Sequence, residues 1–467
     1  MKGKSNTASS IVWFIASIII CSVSSVHDDY WLHAMLVIAN VYAYYRCIKI
    51  WINGGNRLLS LYVFFVVYLF ASSLGQSLVS LVPNSLERLS VYESFSLSSI
   101  MDALRFQLVC ISGLGLGTSF YLYNHATVNY EYQIESYRHT IDPAPTAFQT
   151  IIKCLFWASV LLVVSDSISY LVSRQSMGYM DAYTERQQEG IPFYMQFSNW
   201  LIILLGFYFV YTKRYTKIII CLFVTLVIIY LICGNRSLSI KYLASLVVFC
   251  PIVFPHLFSK KYRLLWVGVL LLFFSLMSVI SSIRNDALGT GIRYASGGSS
   301  FGEMFLSSLS EMGGSVNTLI YTMDAISKGF SHHLTELYFA ITAISTSSLC
   351  YILGIGDQYL ALGEWVGEYA GIFGYGLGYS CLAEWFMNYG WGGCVFAIVY
   401  GYLITMAECV SYRKICKGEY LIPIVLLTFL CTQIFYARSS MFYSLFDVRF
   451  GFWIIVLYKL THFRKAA

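Results

Sequence analysis

The chain has 467 residues and 53.0 kDa; 58% of its residues are hydrophobic and only 12% charged, about half the share a water-soluble domain carries. With a mean hydropathy of +0.65 and apolar runs recurring from end to end, this composition excludes an ordinary soluble globule and indicates an all-α, polytopic integral membrane protein. A formal charge of +6, from 30 basic and 24 acidic residues spread along the chain, excludes a basic arm and a nucleic-acid partner.

Runs of roughly twenty apolar residues predict helices near 9–26, 31–46, 58–82, 103–124, 150–172, 192–212, 218–233, 238–257, 264–282, 388–408, 420–436 and 446–460, about twelve in all. Lys2 and Lys4 precede the first run as in a signal peptide, but no convincing small-x-small cleavage pattern follows, so the first run reads as a retained span. The thirteen Cys residues form no CxxC pair and nearly all lie inside apolar runs, where a thiol acts as a small hydrophobe. No disulfide framework and no metal site is read; Cys350 and Cys381 fall in the one long polar segment and could pair if it is extracytoplasmic.

A cytoplasmic N-terminus puts 19 of the 30 basic residues on the inner side and returns the C-terminus to the cytoplasm, as the positive-inside rule requires. The inner cations are mostly Lys. The outer ones are Arg88, Arg105, Arg174, Arg186, Arg236, Arg284, Arg293, Arg438 and Arg449, against only Lys241 and Lys328. Guanidinium is always charged and donates two parallel hydrogen bonds to phosphate oxygens, so arginine preference on one side suggests phosphate or pyrophosphate binding there. Selection against lysine in outer loops and snorkelling to headgroups remain the plain alternatives.

The chain divides by these elements into an N-terminal bundle of about nine spans (1–282), a long outer segment (283–386) and a C-terminal bundle of about three spans (387–467). Within the long segment, Phe305, Leu306, Leu309 and Met312 follow helical spacing, as do Val316, Leu319, Ile320, Met323 and Ile326. Gly313-Gly314 separates the two stretches, and Leu334 to Leu349 predicts a third. The apolar faces need burial, so this segment should be ordered and partly sunk against the bilayer.

Candidate chemistry clusters on the outer side. Arg236 turns the hairpin between the seventh and eighth spans, Arg438 lies in the turn before the last span, and Arg449 lies about one turn inside it, beside Asp447; an ion pair of Arg449 with Asp447 or Asp166 is the structural alternative. Arg284 and Arg293 flank the start of the long segment. Glu303, Ser307, Ser310 and Glu311 share one helical face; a carboxylate there could take the proton of a sugar hydroxyl, or the face is simply solvated. His332 or His333 could serve as the base instead, and without a carboxylate at ligand spacing the pair makes no metal site. Tyr294, Trp365, Tyr379 and Trp385 could stack on sugar faces, although Tyr and Trp also form interfacial belts.

Four stretches carry a family likeness: Cys233-Gly234-Asn235-Arg236-Ser237; Glu311-Met312-Gly313-Gly314-Ser315-Val316-Asn317-Thr318-Leu319; Glu384-Trp385-Phe386-Met387-Asn388-Tyr389-Gly390-Trp391-Gly392-Gly393; and Ala437-Arg438-Ser439-Ser440. In these and in layout the chain resembles the Wzy-type O-antigen polymerases, the oligosaccharide repeat-unit polymerases of bacterial surface polysaccharide synthesis. An arginine-to-glycine spacing motif of some members' outer loops is not found. The resemblance implies a GT-C-like glycosyltransferase of the bacterial inner membrane with its active site facing the periplasm. The donor would be a growing glycan on undecaprenyl diphosphate, and the acceptor the terminal sugar of a new lipid-linked repeat. The reaction would invert the anomeric centre without metal or cofactor, and a chain-length regulator protein would be a possible partner. Arg236, Arg284, Arg293 and Arg438 would stabilise the departing diphosphate, while Glu311, Glu303, His332 or His333 would be the base. An O-antigen ligase is the nearest rival. A lipid-linked oligosaccharide flippase or transporter would usually show related halves and short loops, which are not seen, and a membrane acyltransferase would want a His better placed than His33 or His256.

Overall fold

The apolar runs fold as helices. The computed structural model describes residues 2–25, 29–82, 90–125, 146–177, 193–233, 235–254, 256, 268, 301–329, 366–367, 369–371, 379–441 and 448–463. Among these there is no strand, and helices occupy every predicted span except 264–282, which lies almost wholly outside the described residues. In chain order they are α1 (Lys2–Ser24), α2 (Tyr30–Asn53), α3 (Leu61–Val79), α4 (Ser90–Ser94), α5 (Leu97–Asn124), α6 (Thr146–Met177), α7 (Phe193–Tyr211), α8 (Thr216–Ile232) and α9 (Arg236–Val253). Then follow α10 (Phe301–Gly313), α11 (Val316–Ser327), α12 (Cys381–Tyr389), a 3-10 turn (Gly390–Gly392), α13 (Gly393–Cys416), α14 (Leu421–Tyr436) and α15 (Val448–Phe463).

Among the described residues, six stretches are long and apolar enough to cross a membrane: Asn6–Ser24, Leu61–Val79, Leu97–Asn124, Phe148–Ser173, Tyr194–Tyr211 and Cys381–Ile415. Thr216–Ile232, Ser237–Val253 and Leu421–Tyr436 are shorter apolar helices. The chain is thus an all-helical, polytopic membrane protein. Several helices run six to eight residues past the expected bounds, at Lys2, Asn53, Leu97 and Cys416, and helix begins at Cys381 rather than near 388, because Ser380 caps it by accepting the Ala383 N–H at 3.2 Å. Cys381 is buried with a free thiol. Gly390, at φ 55°, then redirects the chain into α13, a backbone conformation that favours glycine. The helix expected at Leu334 to Leu349 lies outside the described residues.

Two compact units are formed, each from separated segments. Unit one comprises Met1–Gln133, Leu309–Val410 and Gln433–Phe446; unit two comprises Ile134–Ser308, Ser411–Thr432 and Asp447–Ala467.

In unit one, α5 is the central helix, packed against α1, α2 and α11. Where it crosses α13 the backbones touch: a Cβ on Gly117 would collide with the Ile398 carbonyl, and one on Gly401 with the Leu114 carbonyl. Membrane helices gain little by hiding apolar surface from apolar lipid, so such small-residue crossings supply the packing. Arg105 is consumed here. Its guanidinium pairs with Asp102 at 2.6 Å and donates to the Ser24 carbonyl and hydroxyl, which ties the end of α1 to α5. One outward arginine therefore has a structural job.

The N-terminus of α3 has all four of its first N–H groups paired. Glu408, fully buried, accepts from Leu61 N at 3.1 Å and Tyr62 N at 2.8 Å; the Ser60 hydroxyl accepts from Val63 N, and the Ser60 carbonyl from Phe64 N. The Glu408→Ala variant orphans two buried donors at about 1–3 kcal/mol each. It should lower the unfolding temperature of the detergent-solubilised protein clearly, with Glu408→Gln losing less. An Ala variant that melts with the parent would refute this capping role.

Unit two is held by aromatic packing around one polar knot. Asn199 of α7 accepts the hydroxyl protons of Tyr230 (α8) at 2.7 Å and Tyr242 (α9) at 2.9 Å, and those two rings stack. Phe207, Phe223 and Phe249 pack edge to face beneath them. The α8–α9 hairpin turns at the predicted place. The Asn235 side chain accepts from Leu238 N at 3.3 Å, which makes Arg236 the first residue of α9.

Candidate functional site

The last residues of α10, from Leu309 on, and α11 build one wall of unit one. The apolar stripe read from the sequence is buried at Leu309, Met312, Val316, Leu319 and Ile320, against α3, α5 and α12. Between α10 and α11 the chain turns at Gly313-Gly314, where it meets α3 backbone to backbone: a Cβ on Gly75 would collide with the Leu309 carbonyl, and one on Gly313 with the Gln76 N–H. No larger residue fits that crossing. It fixes Glu311, half-buried, two positions before the contact. Gln76 in turn accepts the Val91 N–H at 3.1 Å, anchoring the segment that enters α4.

A line of hydroxyls runs from this turn to α12. Thr318 donates to the Ser315 carbonyl at 2.8 Å and to the Ser380 hydroxyl at 3.4 Å; one turn later Thr322 shares a 3.0 Å hydrogen bond with the Tyr379 hydroxyl. The same line continues through α12 to the turn after α14. Glu384, 4% exposed, accepts the Met441 N–H at 2.7 Å, and Trp385 donates its indole N–H to the Tyr436 hydroxyl at 3.0 Å. Arg438, half-buried, sits between those two anchor points. The side-chain oxygens of Ser315, Asn317, Asn388 and Ser440, along the same seam, make no hydrogen bond to protein.

At the C-terminal end of α11, Asp324 accepts from Lys328 Nζ and from the Tyr369 hydroxyl, each at 2.7 Å, and Lys328 also lies 5.6 Å from the Tyr369 ring centroid. The Lys328 hydrogen bond first, and that of Tyr369 second, hold the Asp324 carboxyl below its ordinary 3.8. Lys328, read as outward from the sequence, is therefore engaged with the Asp324–Tyr369 pair.

Of the residues singled out in the sequence, the structure brings Glu311, Tyr379, Trp385 and Arg438 onto the seam of unit one. Tyr379 and Trp385 are 3% and 1% exposed, and the Trp385 ring packs among Phe396, Tyr400 and Tyr436. Arg236 and Arg449 belong to unit two, at the starts of α9 and α15; their side chains, and that of Glu303 in α10, lie outside the described residues. Arg284, Arg293, Tyr294, His332, His333 and Trp365 lie outside them altogether, as does Asp447. Glu384 did not stand out in the sequence as a single residue. Its signal was present: an ionisable side chain at the entry of an apolar span, four residues after a helix-capping serine.

Three of the four stretches that carry the family likeness thus meet on one seam, and the fourth, around Arg236, starts a helix in unit two. The family model described as O-antigen polysaccharide polymerase Wzy matches residues 6–465. No curated protein and no solved structure matches the chain. Because that family match covers residues 6–465, nearly the whole chain, the chain belongs to the Wzy family of O-antigen polysaccharide polymerases.

Proposed function

We propose that this polymerase works at the periplasmic face of a bacterial inner membrane, with both termini cytoplasmic and about twelve spans in a GT-C-like arrangement. It transfers a growing glycan from undecaprenyl diphosphate to the terminal sugar of a new undecaprenyl-diphosphate-linked repeat, and a chain-length regulator is its candidate protein partner. The reading is supported by the family match over residues 6–465, by Glu311 lying beside the Gly313 crossing with α3, and by Glu384 holding the end of the turn that carries Arg438.

The chemistry is a single displacement. The base takes the proton of the acceptor hydroxyl, the acceptor oxygen forms a bond to the donor's anomeric carbon, and the bond from that carbon to the diphosphate oxygen breaks. The electron pair leaves with undecaprenyl diphosphate, so the anomeric centre inverts. Glu311 is the favoured base, with Glu303, His332 and His333 the alternatives. Diphosphate is already a good leaving group, and fixed guanidinium groups can stabilise its charge without a metal; Arg236, Arg284, Arg293, Arg438 and Arg449 are assigned to it. Arg236, at the N-terminus of α9, has the helix dipole adding to its charge. Sugar stacking is assigned to Tyr294 and Trp365, since the rings of Tyr379 and Trp385 are covered by protein.

A strain lacking the gene decides among the readings by the gel pattern of its surface polysaccharide. A polymerase null leaves single repeats attached to core. Loss of all repeats would point to a flippase, and accumulation of unattached polymer to a ligase.

A further inference from the structure

We propose that Glu384 and Trp385 are positioning residues that clamp the Arg438 turn from both ends; the inference rests on the reading of Arg438 as a diphosphate ligand. The turn runs from Tyr436 to Met441 and contains one long polar side chain, that of Arg438. Trp385 holds its start through the indole N–H to the Tyr436 hydroxyl at 3.0 Å, and Glu384 holds its end by accepting the Met441 N–H at 2.7 Å. Between these points the backbone closes on itself, with Arg438 N donating to the Phe435 carbonyl at 2.9 Å and Ser439 N to the Tyr436 carbonyl at 3.2 Å.

The clamp stands on a fixed base. Ser380 caps α12, and the Glu384 N–H donates to the Ser380 carbonyl at 3.0 Å, so the first turn of the helix is rigid. Trp385 and Tyr436 are 1% and 0% exposed and pack on Tyr400. A buried carboxylate at the entry of a span is costly, and spending it partly on one backbone N–H makes sense if the shape of that turn matters. A guanidinium displaced by about 1 Å from a transferring diphosphate forfeits roughly 100-fold in rate, which is what the clamp prevents.

The test uses the gene-deletion strain carrying full-length variants, with polymer read from the polysaccharide ladder and protein from membrane immunoblots. Glu384→Ala should reduce polymer by about 10-fold or more. Glu384→Gln, whose amide oxygen still accepts the Met441 N–H, should restore it to within about 2-fold of the parent. Trp385→Phe, which removes the indole N–H together with part of the ring, should give a loss, and Tyr436→Phe, which keeps its ring and removes only the accepting hydroxyl, should give a partial one and serves as the test if Glu384→Ala does not accumulate. Arg438→Ala should lose polymer, and adding Glu384→Ala to it should cost nothing more, since both act through one side chain. Failure of Glu384→Gln to rescue would overturn positioning, because the carboxylate itself would then be required. Full polymer from Glu384→Ala and Trp385→Phe with none from Arg438→Ala would end the clamp and leave the diphosphate reading standing. Full polymer from Arg438→Ala would end both.

Discussion

Exchanging Glu311 for Gln should stop chain growth while leaving the protein in the membrane at its normal level. The amide has nearly the same shape as the carboxylate and can occupy the same half-buried position before the Gly313–Gln76 crossing, so the fold loses little. It cannot accept a proton from a sugar hydroxyl. A positioned general base contributes about 10²–10⁴-fold, so polymer should fall at least about 100-fold and single-repeat caps should accumulate in its place. A normal ladder from Glu311→Gln would withdraw the base from Glu311 and send the search to Glu303, His332 and His333.

Hydropathy alone located the long apolar helices among the described residues, because a span must be apolar along its length and satisfy its own backbone. The pair α10 and α11 was equally legible. Both are amphipathic, so the three-and-four spacing of Leu309, Met312, Val316, Leu319 and Ile320 marked the buried face, and Gly313-Gly314 marked the break. How the spans pack was not legible. In lipid the outside of a helix is as apolar as its inside, so hydrophobic periodicity carries little information about neighbours, and contacts pass instead to small and polar residues. Gly75 meeting Gly313 and Gly117 meeting Ile398 have no mark beyond the glycine itself. The outward arginines show the same limit from the side of charge: Arg105 reads like the others in the sequence, yet it fastens α1 to α5 through Asp102 and Ser24. Glu384 escaped notice because its partner is a main-chain N–H, at Met441, and backbone partners leave no trace in composition.

The arginine-to-lysine exchanges at 236 and 293 isolate geometry from charge. Each keeps one positive charge at the same place on the chain, and Arg236→Lys leaves the Asn235 cap of α9 untouched, so insertion and helix formation should be unaffected. What is lost is the planar fork. A guanidinium meets two oxygens of a diphosphate at once, whereas an ammonium offers a single, strongly hydrated point charge. If these residues hold the departing diphosphate, the missing hydrogen bond is made chiefly as negative charge builds on the leaving oxygen, and its loss should cost about 10²–10³-fold in chain growth. If instead they snorkel to lipid headgroups, or merely satisfy selection against outward lysine, a lysine at one position should serve nearly as well. The two explanations therefore predict opposite ladders from proteins of equal charge. Polymer of full length from both variants, at equal membrane abundance, would remove phosphate binding as the reason for outward arginine and leave the carboxylates of the seam to explain catalysis alone.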